Sequence, residues 1–169
     1  MTDQELRDIV AENSRAIKQL NKQMGELGNK FGSFTEGLAL KSVYKLLSKQ
    51  FGVEMASRRV RKKNKATDEW MELDYFGYEN SNINRAVIVE VKSHFRHRDI
   101  EKVQKMVTQF KEFFPEHADK DLYMVVAYVD YEDADVLEQA LEEGFYLASV
   151  HDEVFTLNIP KGFVGKNFK

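Results

Sequence analysis

Ala86-Val87-Ile88-Val89-Glu90-Val91-Lys92-Ser93 is the stretch on which the reading of this chain turns. Alternation along a strand sends Val87, Val89 and Val91 to one face and Ile88, Glu90 and Lys92 to the other. A carboxylate and an ammonium at the end of an otherwise apolar strand are costly unless they are paired or used. Upstream, residues 69–78 read as a second strand, with Trp70, Glu72, Asp74, Phe76 and Tyr78 on a shared face. The turn-rich Glu79-Asn80-Ser81-Asn82-Ile83-Asn84 would close the two into a hairpin and bring Asp74 beside Glu90. Carboxylates that close repel, and one takes up a proton unless a cation lies between them. Oxygen-only ligands of this kind suit a hard divalent ion, Mg²⁺ or Mn²⁺.

Working outward, a first strand is expected over 53–62, before the pair just described. After it, Asp99 can cap a helix reaching Phe114, with Ile100, Val103, Val107, Phe110 and Phe114 as its buried face and Pro115 as its stop. Leu122 to Val129 is continuously apolar, the pattern of a strand covered on both faces. A helix over 132–143 ends at Gly144, and extended segments follow over 145–150 and 154–159. The order predicts an α/β fold, a mixed central sheet with helices packed on it.

The N-terminal segment has a different rhythm. Leu6, Val10, Asn13, Ile17, Leu20, Met24 and Leu27 alternate spacings of four and three, a heptad seam interrupted only by Asn13. A helix this short is marginal alone, so the seam needs a partner: another copy of the chain, or the body of its own domain. Residues 1–27 are therefore expected to form an oligomerising coiled-coil helix, and 28–33 a glycine-rich hinge. Ser33-Phe34-Thr35-Glu36 reads as a capping box opening a second helix with Leu40, Val43, Leu47 and Phe51 on its apolar stripe. The main domain is expected over 34–160, followed by a basic tail over 161–169.

The 169 residues carry 12 Phe, 7 Tyr and 1 Trp, enough for a real core, and no Cys, which excludes disulfides, thiolate metal sites and thiol nucleophiles. The start, Met1-Thr2-Asp3-Gln4-Glu5, lacks the basic-then-apolar pattern of a secretion signal, and no apolar run is long enough to span a bilayer. A cytoplasmic protein with no membrane association is the expectation. The net charge of −3 conceals a division: from Asp121 to Pro160 there are ten acidic residues and no Lys or Arg. A basic surface is thus possible only elsewhere.

Asp74, then Glu90-Val91-Lys92 on the next strand, then a helix and a buried strand, resembles the PD-(D/E)XK nuclease superfamily, the restriction-endonuclease-like fold shared with Holliday-junction resolvases. The resemblance spans about Phe31 to Val150. It looks closest to a prokaryotic branch of short proteins with an N-terminal coiled coil, in which Glu72-Leu73-Asp74 and Glu90-Val91-Lys92-Ser93 are typical. Leu73 stands where the family name has its proline. The resemblance implies a Mg²⁺- or Mn²⁺-dependent nuclease; DNA is the expected substrate, and nothing in the sequence separates DNA from RNA. It implies that Asp74, Glu90 and the Val91 carbonyl ligate the metal. Glu36 would orient it or bind a second ion, and Lys92 would stabilise charge at the scissile phosphate. Glu36 is equally explained by the capping box. Glu72 is a supporting group or merely exposed, and either Gln104 or Gln109 would touch the substrate or the metal-bound water.

Two basic clusters flank these residues. Arg58, Arg59, Arg61, Lys62, Lys63 and Lys65 put six positive charges in eight positions, and Arg96 and Arg98 follow Lys92 closely. A charge run is usually a solvated edge; two runs beside a carboxylate site read as contacts to a nucleic-acid backbone. His94 and His97 lack further ligands at zinc spacing. The alternative to the nuclease is a non-catalytic coiled-coil assembly or nucleic-acid-binding protein that keeps the fold.

Overall fold

An unbroken apolar segment such as Leu122–Val129 needs cover on both faces, and its strand lies inside a six-stranded sheet. The computed structural model describes the backbone of residues 2–151 and 154–169; the side chains of residues 3, 6–8, 11, 21–39, 150 and 151 lie outside that description. The elements are α1 (Asp3–Phe51), β1 (Met55–Lys63), β2 (Trp70–Glu79), β3 (Arg85–Phe95), α2 (His97–Phe113), β4 (Asp121–Tyr131), α3 (Ala134–Glu142), β5 (Tyr146–His151) and β6 (Val154–Leu157), with a single 3₁₀ turn at Pro115–His117. The strands lie in sequence order, so β1 and β6 are the edges. β1, β2 and β3 pair antiparallel, β3, β4 and β5 pair parallel through the crossover helices α2 and α3, and β6 returns antiparallel to β5. This is the expected α/β architecture.

Each face of the sheet has its own core. On one side Ile100, Val103, Val107 and Phe110 of α2, with Val136 and Ala140 of α3, cover Ala86, Ile88, Leu122, Met124 and Val126. On the other, Val43, Leu46, Leu47 and Phe51 of α1 cover Val87, Val89, Val125 and Ala127. The alternation read from β3 is the one found: the valines face α1, and Ile88 faces α2.

Some expectations are corrected and others take definite form. Residues 28–33, expected as a hinge, have helical backbone within α1, which is assigned from Asp3 to Phe51 through Gly25, Gly28 and Gly32. A glycine inside a helix costs only about 1 kcal/mol relative to alanine, which good helix formers on either side can offset. Ser33 is consequently a mid-helix residue and opens no new helix. Residues 161–169, the basic tail, are tied to the sheet: Phe168 N–H donates to the Leu122 carbonyl, and Asn167 joins the Leu122 N–H to the Asp121 carboxylate. Gly144, at φ +86°, lets that segment pass, since a Cβ there would meet the Lys166 backbone. Finally, Asp99 lies inside the first turn of α2, where its carboxylate accepts the Arg96 N–H at 3.0 Å; Arg96 is the N-cap.

The chain divides into two compact units, Met1–Gly37 and Leu38–Lys169. In the first, Val10, Ile17 and Leu20 of the heptad seam are 57%, 58% and 56% exposed. Among the described residues no helix is long and apolar enough to cross a membrane.

Candidate active site

The β2–β3 ladder runs from Glu79 opposite Arg85 to Tyr75 opposite Val89, and there it stops. β2 continues alongside β1 as far as Trp70, while β3 continues alongside β4 as far as Phe95. The two strands therefore part at Asp74 and Glu90, the next pair in register. Asp74 Oδ2 accepts the Val91 N–H at 2.8 Å, so a side chain takes over where backbone pairing ends.

An irregular residue of β1 lies across from the fork. Arg59, facing Asp74 between the pairs Arg58–Tyr75 and Val60–Leu73, has φ +50°, in the left-handed region. In β2 the side-chain alternation slips at this point. Met71, Leu73 and Phe76 all enter the core beneath α2, and Tyr75 enters the one beneath α1. The shared face expected for Trp70, Glu72, Asp74, Phe76 and Tyr78 is thus broken at Asp74, because one irregular residue exchanges the two faces of everything beyond it.

Glu90 and Lys92 emerge on the α2 side of β3. Their side chains are 13% and 23% exposed, and Lys92 Nζ lies 2.7 Å from Glu90 Oε1. Burial first, and then the Asp74 charge, push Glu90 up to about 7 against the pull of Lys92. On Lys92 burial opposes the charge, but Glu90, with Asp99 and Asp74 behind it, holds the pKa above the ordinary lysine value. The result is a proton-hungry Glu90 carboxylate beside Asp74, with a firmly charged ammonium at its side.

Asp99, read from sequence only as a helix cap, belongs to the surroundings of the site. It is 7% exposed, its charge acts on Lys92, and Lys102 Nζ approaches it at 3.9 Å. Its only sequence signal was the helix start, which accounts for it without reference to a site.

The other candidates are distributed as follows. Glu36 falls within α1, and its side chain lies outside the described residues. Glu72 is exposed and pairs with Arg61 at 3.1 Å. Gln109 lines a cavity between β2 and α2, whereas the contact at Gln104 is its carbonyl accepting the Thr108 hydroxyl. In the basic run, Lys62 bonds Glu116 at 2.6 Å and Lys63 pairs with Asp68, so three of the six cations are already partnered by carboxylates. Arg58, Arg59 and Lys65 are exposed, as is Arg98. His94 contacts Asp130 at 2.7 Å, and His97 bridges Asp133 and Gln139.

Among the described residues no three His, Cys, Asp or Glu side chains group so as to hold a metal. The two carboxylates that do meet have the right chemistry for a hard divalent cation. Both are oxygen donors, and their mutual repulsion is what such a cation relieves. Water would complete the remaining positions.

No curated protein matches the chain. Among solved structures it is similar to a protein of unknown function, AF1548, at 14% identity and a TM-score of 0.46, over 69% of this chain and 57% of that one. It is also similar to a repair endonuclease from Pyrococcus abyssi, at 12% identity and a TM-score of 0.41, over 67% of this chain and 47% of that one. The chain thus spans about half the length of the solved proteins it matches. Residues 36–157, well over half the sequence, match the family described as "Domain of unknown function (DUF8196)", and the chain belongs to that family.

Proposed function

We propose that this chain is a metal-dependent phosphodiesterase that cuts DNA, on a domain of the PD-(D/E)XK nuclease type. The observation that carries the reading is the meeting of Asp74, Glu90 and Lys92 where β2 and β3 part. Asp74, Glu90 and the Val91 carbonyl would hold Mg²⁺ or Mn²⁺, with Glu36 as a further acidic candidate. The ion would polarise a phosphoryl oxygen and lower the pKa of a bound water.

The rest falls to the chain's own groups. Lys92 stays charged because Glu90, Asp99 and Asp74 favour its ammonium form. It is the cation beside which a scissile phosphate would lie, and it would stabilise the charge that develops there. Asp74 ties β2 to β3 at the fork by accepting the Val91 N–H. Arg58, Arg59, Lys65, Arg96 and Arg98 would meet the DNA backbone together with Arg61, Lys62 and Lys63, whose surface ion pairs are weak enough to exchange for phosphate. The exposed heptad seam of α1 would join copies of the chain.

The test is cleavage of plasmid and labelled oligonucleotides by the full-length protein in Mg²⁺, Mn²⁺ or chelator. Cleavage that needs the metal and disappears in Lys92→Ala supports the reading. Retained cleavage in that variant moves the site elsewhere. Binding without cleavage under every metal favours the non-catalytic alternative.

A further inference from the structure

We propose that the cavity beside Trp70 receives an unpaired nucleobase from the strand being cut. The inference rests on the nuclease reading and deepens it: the substrate class becomes nucleic acid with a single-stranded segment next to the scissile phosphate.

Trp70 is the sole tryptophan, and it is 59% exposed at the start of β2. The ring is already a cation platform, with the Arg61 guanidinium carbon 5.4 Å and Lys63 Nζ 5.9 Å from its centroid. Beside it opens a cavity of about 250 Å³ between β2 and α2. Met71, Met106 and Phe113 give this cavity apolar walls, and Lys102, Lys105 and Gln109 of α2 supply its polar ones. A π-face, an apolar wall, a side-chain amide and cations on two sides together match a nucleotide: the base stacks, its edge meets the amide, and its phosphates meet the cations.

Glu69 and Glu72 also line the cavity. Carboxylates there repel phosphate but accept N–H groups from a base edge, so they fix which part of the nucleotide enters. Two links relate the cavity to the fork: Glu72 of its lining is two residues from Asp74 on β2, and Asp99, whose charge acts on Lys92, is paired at 3.9 Å with Lys102 of the cavity wall. One strand would span both places. The base must be unpaired, because inside a duplex each base has both faces covered by its stacked neighbours and only the terminal pairs have a face to offer an indole.

The experiment uses the full-length protein in chelator, with oligothymidylate as the probe and a blunt duplex of mixed sequence for comparison. Indole emission reports on Trp70 alone, since there is no other tryptophan. Anisotropy of a labelled oligonucleotide reports binding separately. Oligothymidylate should quench the emission as it binds, and the duplex should not. Trp70→Ala should weaken oligothymidylate binding by about fivefold or more, with Trp70→Phe recovering much of the loss. Binding by anisotropy with unchanged indole emission and an unchanged affinity for Trp70→Ala overturns this inference and leaves the nuclease reading standing. No binding of either nucleic acid, with chelator or with Mn²⁺, overturns the nuclease reading and this inference with it.

Discussion

Asp74 and Val91 are joined across the mouth of the β2–β3 fork, the carboxylate of one accepting the backbone N–H of the other at 2.8 Å. The same side chain that would bind metal therefore also closes the hydrogen-bond ladder of the sheet. Function and fold are coupled at this residue, and the choice of substitution matters.

Asp74→Ala leaves the Val91 N–H without its charged acceptor, in a part-buried place. A hydrogen bond to a charged group contributes about 1.5–3 kcal/mol, and that loss is expected in denaturant unfolding. Asp74→Asn keeps an acceptor oxygen and should lose much less stability, while losing metal-dependent cleavage equally. Equal stability of Asp74→Ala and wild type would mean that the bond does not hold the fork.

Glu90 makes stability depend on pH with a definite sign. Its folded pKa is raised from 4.5 to about 7, so the folded state holds the proton more tightly than the unfolded one. The associated stability is present below about pH 4.5 and is lost as pH rises through about 7, a difference on the order of 3 kcal/mol. Without metal, Glu90→Gln should be more stable than wild type at pH 8, and the two should converge towards pH 4.5. Lys92 remains faced by Asp74 and Asp99 in that variant. Unfolding in chelator across this range is the measurement, and a stability gap independent of pH would contradict the assignment.

A divalent cation should replace the proton on Glu90. At Mn²⁺ about 100-fold above its dissociation constant, the gain in stability is about 2.7 kcal/mol. Calorimetric affinity should fall as pH drops below about 7, because the proton on Glu90 must leave first. A melting temperature indifferent to Mn²⁺, with no heat of binding, counts against the site.

Removing residues 1–27 should convert an associated protein into a monomer without unfolding Leu38–Lys169, a compact unit by itself. Light scattering on both proteins decides it. Asn13→Leu should tighten association and loosen the choice of oligomer. A full-length protein that scatters as a monomer would mean that the exposed Val10, Ile17 and Leu20 do not join copies of the chain.

The sheet was legible because β3 and α2 obey their periods: Val87, Val89 and Ile88 alternate, and Ile100, Val103, Val107 and Phe110 fall on one buried stripe. The apposition of Asp74 and Glu90 followed from hairpin register alone. What could not be read was the left-handed Arg59, a residue type with no preference for that conformation, and with it the exchange of faces at Asp74. The continuity of α1 was missed because three glycines signal a break locally, while a long helix can absorb their small cost. The cavity was invisible because Trp70 and Lys102 are neighbours only once α2 has packed over β2.

The irregular residue in β1 has a further effect. β1 is a border of the sheet, and an unbroken extended border is a template on which a second copy can lengthen the sheet indefinitely. At Arg59 that template is interrupted in mid-strand, and exposed cations on either side repel an incoming twin. If long N-terminal helices bring several copies into proximity, this interruption would work against sheet-to-sheet growth from a finite assembly into a fibre.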